Sequence, residues 1–509
     1  MPASSGQTDK GASSSPLNGW PDSLRSSLRM VTIAWLFGAA WMYITTGATQ
    51  TRYAKLLHMP EFGFGLMAAV PYLTALAQLP ASFFIERYGY RKLLFLWAGV
   101  IHRALWLVVA AIPWLVPQES AWGALLGVLG LSALAAQVAT PAVLAWFADI
   151  IPRRIRGRYL SRRAQVGQVA GVVVTLLTGY SLDLSGALGD RALLRTISFA
   201  FAVAAVSGVL DFVCLVPVPD PRPHHPHPGL RLWTLLRQPL ANREFRLYLG
   251  FNATLIFAIG FIGQFVWLYV FDVVGFSNTH ANLLLVVIPL LVAMLSYPFW
   301  GRVMDRVGRR PVLLVAGFLI VHGAVGWIFV TKTNWWVGYI TVLLATWAWP
   351  GVELANLNFL LGMSESKQGR GLGSAYVAIT SVVVAIAGTL SGLFGGAVAH
   401  ALEGWRGTLL GWPLTYHGVL FLVSAALRLA SLGWVVAMRE PRAQATWSVV
   451  RLVASSTYSN LQQAVLMPAR GWWRLRQLVY RSGRVVPAPR RAAARASAKP
   501  TGTAAPRYP

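Results

Sequence analysis

The chain has 509 residues, of which 56% are hydrophobic and only 12% charged, and its mean hydropathy is +0.54. That is too apolar for a water-soluble protein. The 44 Lys and Arg against 17 Asp and Glu give a net charge of +27, a balance that points to nucleic acid or to a membrane surface. Apolar runs longer than any soluble nucleic-acid binder could bury decide for the membrane. The single cysteine, Cys214, excludes an intramolecular disulfide, and the composition also excludes disorder and collagen-like repeats.

A helix crosses the hydrocarbon layer with about 20 apolar residues, and twelve runs reach that length. In chain order they cover residues 31–49, 63–85, 93–116, 121–148, 165–182, 196–217, 247–271, 282–300, 311–331, 335–361, 373–399 and 413–437. Four carry one charge each, namely Arg103 in run 3, Asp211 in run 6, Glu353 in run 10 and Arg428 in run 12, and the other eight carry none. A polar stretch precedes the first run, which is long enough to span, so it is expected to be retained rather than cleaved as a signal peptide.

Basic residues in short loops mark the cytoplasmic side. With the N-terminus inside, 36 of the 44 fall on that side, so both termini are expected to be cytoplasmic at the plasma membrane. Pro217-Val218-Pro219-Asp220-Pro221 opens a Pro-rich linker. The organisation predicted is a disordered N-terminus (1–28), a six-helix unit (29–217), a linker (218–245), a second six-helix unit (246–438) and a basic tail (439–509). His224-His225-Pro226-His227 reads as linker rather than a metal site, because the prolines scatter the imidazoles and no Cys or carboxylate cluster accompanies them. No cofactor is expected.

The two units repeat. Gly301-Arg302-Val303-Met304-Asp305-Arg306-Val307-Gly308-Arg309-Arg310-Pro311 follows run 8, and Ser82-Phe83-Phe84-Ile85-Glu86-Arg87-Tyr88-Gly89-Tyr90-Arg91-Lys92 follows run 2. Acid, Arg and Gly keep their spacing at a displacement of 219, and Gly157-Arg158 and Gly369-Arg370 correspond at 212. In such a turn Gly308 supplies backbone freedom and Pro311 suits the first turn of the next helix. Asp305 can meet the exposed amides of a neighbouring helix, and the arginines meet phosphates or acidic helix ends, so the turn is a candidate latch.

With these residues the sequence resembles the major facilitator superfamily of secondary transporters, whose hallmark is Gly-x-x-x-Asp-Arg-x-Gly-Arg-Arg. Here the full form stands in the second unit, while the first has Ser82 and Glu86 in place of Gly and Asp. The resemblance covers about residues 28–438. It implies an all-α membrane protein of twelve transmembrane helices in two pseudo-symmetric six-helix bundles. Helices 1, 4, 7 and 10 line a central cavity, 2, 5, 8 and 11 form the interface, and 3, 6, 9 and 12 support from outside. The gate motif carried over is Gly301, Asp305, Arg306, Gly308, Arg309, Arg310, Glu86, Arg87, Gly89 and Arg91. Asp149 is expected to pair with Arg87 or Arg91, and Glu365 with Arg309 or Arg310.

Trp349, Glu353 and Asn356 recur at i, i+4 and i+7, on one helix face, with Pro350 and Gly351 beside them as expected weak points. A carboxylate within a span is a functional hypothesis, here a proton carrier or a counter-charge for a cationic solute; the alternative is a structural acceptor for Asn or Trp nearby. Trp41, Thr45, Gln137, Thr140, Asn252 and Gln264 complete the cavity set. Such a set favours a small neutral or weakly cationic organic solute, since runs 1, 4, 7 and 10 carry no arginine. Arg103 is expected to pair with Asp211, and Arg428 to snorkel. Run 5 has no proline between Gly167 and Gly179, so the Gly-Pro signature of many drug/proton antiporters is missing.

Residues 447–467, and Trp472 to Arg481, are expected to form amphipathic helices on anionic lipid headgroups, followed by a disordered end from Pro487. Lipid rather than nucleic acid is the expected contact, and a monomer the expected state. A transporter accounts for runs, repeat and gate motif. A transport-inactive receptor of the same fold and a multidrug efflux permease are the alternatives. An enzyme is disfavoured, because His102, His322 and His417 lie on different supporting helices.

Overall fold

A computed structural model describes residues 22–88, 90–152, 155–220, 239–364, 373–409, 411–440, 447–449 and 451. Gly89, Glu365, the His-rich tract and nearly all of the tail lie outside the described residues, as does the Glu86 side chain. The compact unit that contains the spans runs through Val449.

Among the described residues, twelve helices are long and apolar enough to cross a membrane. Spans 1 to 6 are Ser23–Ile44, Glu61–Ile85, Arg91–Leu115, Gln118–Leu144, Arg156–Gly186 and Asp190–Val213. Spans 7 to 12 are Arg243–Val274, Asn278–Val307, Arg309–Phe329, Trp336–Met363, Ala375–Ala401 and Tyr416–Ala437. The side carrying residues 86–92 and 301–310 is called the terminal side here, and the opposite one the far side.

Proline and glycine set the irregularities. Span 2 breaks at Leu76 and Ala77 into Glu61–Ala75 and Gln78–Tyr88, because Pro80 has no N–H for the Leu76 carbonyl and its ring crowds it. Span 7 unwinds over residues 261–264 and resumes at Phe265, passing into a π-turn at Tyr269–Val274. A second π-turn, Leu283–Val287, precedes Pro289 in span 8. Pro71 and Pro80 recur as Pro289 and Pro298, both displaced by 218, which adds two landmarks to the repeat. Gly308 has φ 95°, a value that favours glycine, and it separates spans 8 and 9 as the turn requires.

The structure corrects several expectations. Run 1 does not extend to residue 49: the helix stops at Ile44, Gly47 turns with φ 71°, and Ala48–Leu56 forms a separate short helix. Span 5 starts at Arg156, so Arg162 and Arg163 are helical rather than in a loop. Span 10 is continuous through Pro350. Gly351 serves close packing, since a Cβ there would fall 2.7 Å from Trp300 and 2.8 Å from Ala316. Among the described residues the helices are joined by one antiparallel hairpin between spans 11 and 12, β1 (Arg406–Leu409) with β2 (Trp412–Thr415), pairing Arg406 with Thr415.

The packing follows the repeat. Within the first six spans the most extensive contacts are 1 with 5 and 6, 2 with 4, and 3 with 4 and 6; within the second they are 7 with 11 and 12, 8 with 10, and 9 with 10 and 12. Between the two groups, span 2 meets span 11 and span 5 meets span 8. Small residues allow this in a membrane, where packing rather than expulsion of water holds helices together. A Cβ on Gly392 would lie 2.6 Å from the Gly65 carbonyl oxygen, and one on Gly396 would lie 3.0 Å from the Phe62 carbonyl oxygen.

Candidate functional site: the bundle interface and its polar residues

On the far side the bundles are tied by a continuous polar seam. Asp183, at the end of span 5, accepts from the Asn278 backbone N–H (2.7 Å) and side-chain amide (2.9 Å). It also accepts from the Thr279 N–H (3.0 Å) and hydroxyl (2.6 Å). One carboxylate of the first bundle thereby occupies the helix N-terminus of the second, where dipole and unpaired N–H groups favour an anion. Arg52 Nε donates to Asn278 Oδ1 at 2.9 Å and the guanidinium lies 3.9 Å over Phe271. Burial lowers the Arg52 pKa even though Asp272 and Asp183 favour its charged form. Lys55 pairs with Asp272, and Asn282 accepts from the Ala48 N–H (3.3 Å) while donating to the Thr175 carbonyl (3.1 Å).

Among the described residues, the ion pairs of the terminal-side turns lie within single bundles. Arg91, almost fully buried, holds Asp149 (2.5 Å) and Asp220 (2.5 Å), all in the first bundle. Arg309 holds Glu440 at 2.8 Å, and the Arg310 N–H donates to the same carboxylate at 2.8 Å, all in the second. Asp220 and Glu440 stand 220 apart, so an acid after each sixth span returns to the basic turn after each second one. Of the two partners expected for Asp149, Arg91 is the one it contacts; Arg87 is exposed and lies 5.7 Å over the Tyr88 ring. Asp305 is exposed and takes no hydrogen bond or ion pair among the described residues, so the expected bond to helix amides is not formed. Gly301 and Arg306 complete the turn beside it, Gly301 with open space where a Cβ would stand.

The polar residues inside the second bundle converge on span 10. Asn252 and Asn356 exchange reciprocal amide bonds of 3.1 and 2.9 Å, joining spans 7 and 10. The Tyr297 hydroxyl of span 8 donates to the exposed Glu353 carboxylate, one turn from Asn356. Trp349 is 36% exposed on the same stripe. In the first bundle, Gln78 Nε2 donates to Gln137 Oε1 at 2.5 Å, and Gln137 donates to the Pro71 carbonyl at 3.3 Å. Gln78 and Tyr297 stand 219 apart, and Gln137 and Glu353 stand 216 apart. A neutral amide pair thus joins spans 2 and 4 in one bundle and a tyrosine–carboxylate pair joins spans 8 and 10 in the other, within about a turn of equivalent positions.

Other expected cavity residues are placed elsewhere. Trp41 packs into its own bundle, 3.5 Å under the Arg103 guanidinium and edge-on to His102 and Trp106. Thr45 lies just past the end of span 1, buried, with its hydroxyl returned to the Trp41 carbonyl at 2.9 Å. Thr140 likewise bonds its own helix, at the Ala136 carbonyl (2.8 Å). Gln264 is half-buried at the resumption of span 7. Arg103 meets Asp211 at 3.6 Å as expected. Arg428 does not snorkel: it is buried and donates to the Ile320 carbonyl at 2.8 Å.

Sequence reasoning missed Asp183, Gln78, Tyr297 and Arg163. Arg163 lies 4.3 Å over Trp35 and 5.1 Å over Phe147, so spans 1, 4 and 5 enclose a cation that the apolar runs did not reveal. Ser277-Asn278-Thr279 was a readable helix start, but nothing local says that its capping anion comes from Asp183.

The model of the Major Facilitator Superfamily matches residues 30–389. The chain belongs to that superfamily. Its fold is similar to that of solved transporters of the superfamily, although all of those compared are distant in sequence. A variant of the nucleoside transporter NupG superposes with a TM-score of 0.62 at 12% identity, covering 82% of this chain and 100% of that one. A bacterial homolog of the human lysosomal transporter Spinster, inward-facing and unoccupied, gives 0.59 at 16% identity, covering 82% and 95%. The xylose transporter XylE from E. coli, partially occluded and inward-open, gives 0.56 at 13%, covering 84% and 100%. No curated protein matches the sequence. Membership accounts for the twelve spans, the parallel repeat and the basic turn from Gly301 to Arg310.

Proposed function

We propose that the protein is a secondary transporter that carries a small, net-neutral or weakly cationic organic solute by alternating access, with Glu353 as its proton- or cation-responsive group. The observation that carries this reading is the distribution of cross-bundle bonds. The seam from Asp183 to Asn278 and from Lys55 to Asp272 lies on the far side, whereas among the described residues the ion pairs of Arg91 and Arg309 on the terminal side lie within single bundles. With the basic-rich terminal side taken as cytoplasmic, this is an inward-open arrangement. Two of the similar structures are described as inward-facing or inward-open, which supports the assignment.

An acid on the stripe that also carries Trp349 and Asn356 suits a solute with a hydrogen-bond donor or a cationic group. The Tyr297 hydroxyl donates to the Glu353 carboxylate, and a proton or a cationic solute arriving there competes for the same oxygen. The test is uptake of a solute panel into proteoliposomes under an imposed pH gradient, wild type against Glu353→Gln. Gradient-driven uptake lost in Glu353→Gln supports the reading. Uptake with unchanged pH dependence excludes Glu353 as the coupling group, and no flux of any solute favours the receptor alternative.

A further inference from the structure

Away from the bundle interface, the beginnings of spans 7 and 9 and the end of span 12 border a shallow, open cavity of about 470 Å³ on the terminal side. Its side-chain charges are Arg243, Arg310, Arg439 and Glu440. The acids nearby are already engaged. Glu440 accepts from Arg309 Nε and from the Arg310 N–H, both at 2.8 Å, and Glu244 accepts from the Arg439 N–H at 2.9 Å. Arg310 is fixed at the wall by bonds to the Val435 and Val436 carbonyls, at 3.1 and 2.8 Å. The Arg243 side chain is 58% exposed, and it meets Glu244 only at 3.9 Å. Arg439 is exposed as well. The cavity therefore keeps an excess of positive charge that no acid among the described residues neutralises.

An apolar lane leads into the bilayer from the same place. Leu429 and Val436 of span 12 are seven residues apart, hence on one helix face, and both are more than half exposed. A free anion would have no use for that lane, and the choline of a zwitterionic lipid would meet the arginine excess. We propose that the cavity binds the phosphate of an anionic phospholipid, between Arg243, Arg310 and Arg439, with an acyl chain along Leu429 and Val436. The proposal rests on membrane residence alone and is independent of what is transported. A lipid held there would pin together the terminal-side ends of three helices of the second bundle.

The experiment titrates the detergent-purified full chain with phosphatidylglycerol or phosphatidylcholine and counts bound lipid by native mass spectrometry. A basic residue near the surface contributes about a fivefold gain toward an anionic lipid, so Arg243→Gln/Arg439→Gln should weaken the tightest phosphatidylglycerol site about 25-fold. The Lys/Lys variant should keep most of the binding. Arg470→Gln/Arg474→Gln, which removes equal charge from the tail, should leave that site unchanged. Wild-type binding in the Arg243/Arg439 variant, or an equal loss in the tail variant, overturns the proposal. So does full competition by inorganic phosphate, which would make the site one for a free anion. The Arg243 and Arg439 side chains are exposed, and circular dichroism of each variant confirms that binding is compared between folded proteins.

Discussion

The Asp183 carboxylate accepts the Asn278 backbone N–H at 2.7 Å, so the first bundle caps a helix of the second. The same two oxygens take three further donors from Asn278 and Thr279, and a far-side opening has to strip all four at once. An anion at a helix N-terminus is worth roughly 0.3–2 kcal/mol, and a charged hydrogen bond about 1.5–3. Asp183→Asn keeps the shape, loses the charge and turns one acceptor into a donor facing N–H groups. It is expected to shift the equilibrium toward far-side opening by at least about tenfold. Thr175 is buried beside Asn282, and its hydroxyl has no partner, so Thr175→Cys in a Cys214→Ser chain is a silent reporter. Maleimide labelling of that cysteine should accelerate at least about tenfold when Asp183→Asn is added.

Gly65 and Gly392 let spans 2 and 11 touch backbone to backbone. Gly392→Val drives a side chain into the Gly65 carbonyl and Ala69, so the far side cannot close. The expected result is a folded protein with little flux and a permanently labelled Thr175→Cys. Gly123→Val in span 4 meets open space and is expected to leave both unchanged, which separates a seam effect from a general intolerance of β-branching.

Arg91 bridges two acids, Asp149 and Asp220, and this changes what a charge swap can do. Arg91→Asp with Asp149→Arg restores one pair but leaves Asp220 against a new carboxylate, so rescue of stability should be partial. Asp220→Arg as a third change should complete it. Arg91→Met is expected to cost about 2–4 kcal/mol, below the usual range for breaking a fully buried pair because both acids are partly solvated. Arg87→Met, exposed on Tyr88, should cost under about 0.5 kcal/mol in the same unfolding assay.

Asn252 and Asn356 satisfy each other across spans 7 and 10, so removing either orphans the other. Single replacements by Ala should each cost about 1–3 kcal/mol and the double little more than one single, a coupling nearly as large as one single cost. Additive costs would show that the pair is not formed in the state that unfolds.

Much of this was legible in the sequence because the membrane imposes a length rule that apolar runs obey. The repeat was readable because the two turns keep an acid, an Arg and a Gly at one spacing in the sequence. Boundaries failed where polarity and helicity part company. Arg156 to Arg163 are polar but continue span 5, and Ala48 and Thr49 are uncharged but belong to another helix. Site residues were legible when their partner lay on a shared stripe, as for Glu353 and Asn356. They were not when the partner was remote: Asp183 has no local mark, and its meaning comes from a helix start that only the assembled bundles bring beside it. Trp41 failed for a different reason, since an indole near the middle of a lining helix can face a buried arginine as well as a cavity.

The central claim is that transport requires the far-side seam to open and close, and the Asp183–Thr279 contact allows a direct test. In a Cys214→Ser chain carrying Asp183→Cys and Thr279→Cys, oxidation locks the seam at the place where carboxylate and hydroxyl stand 2.6 Å apart. Flux of the solute found by the uptake screen should fall to the level of empty liposomes when the pair is oxidised and return on reduction. Undiminished flux through the cross-linked protein would contradict alternating access at this interface.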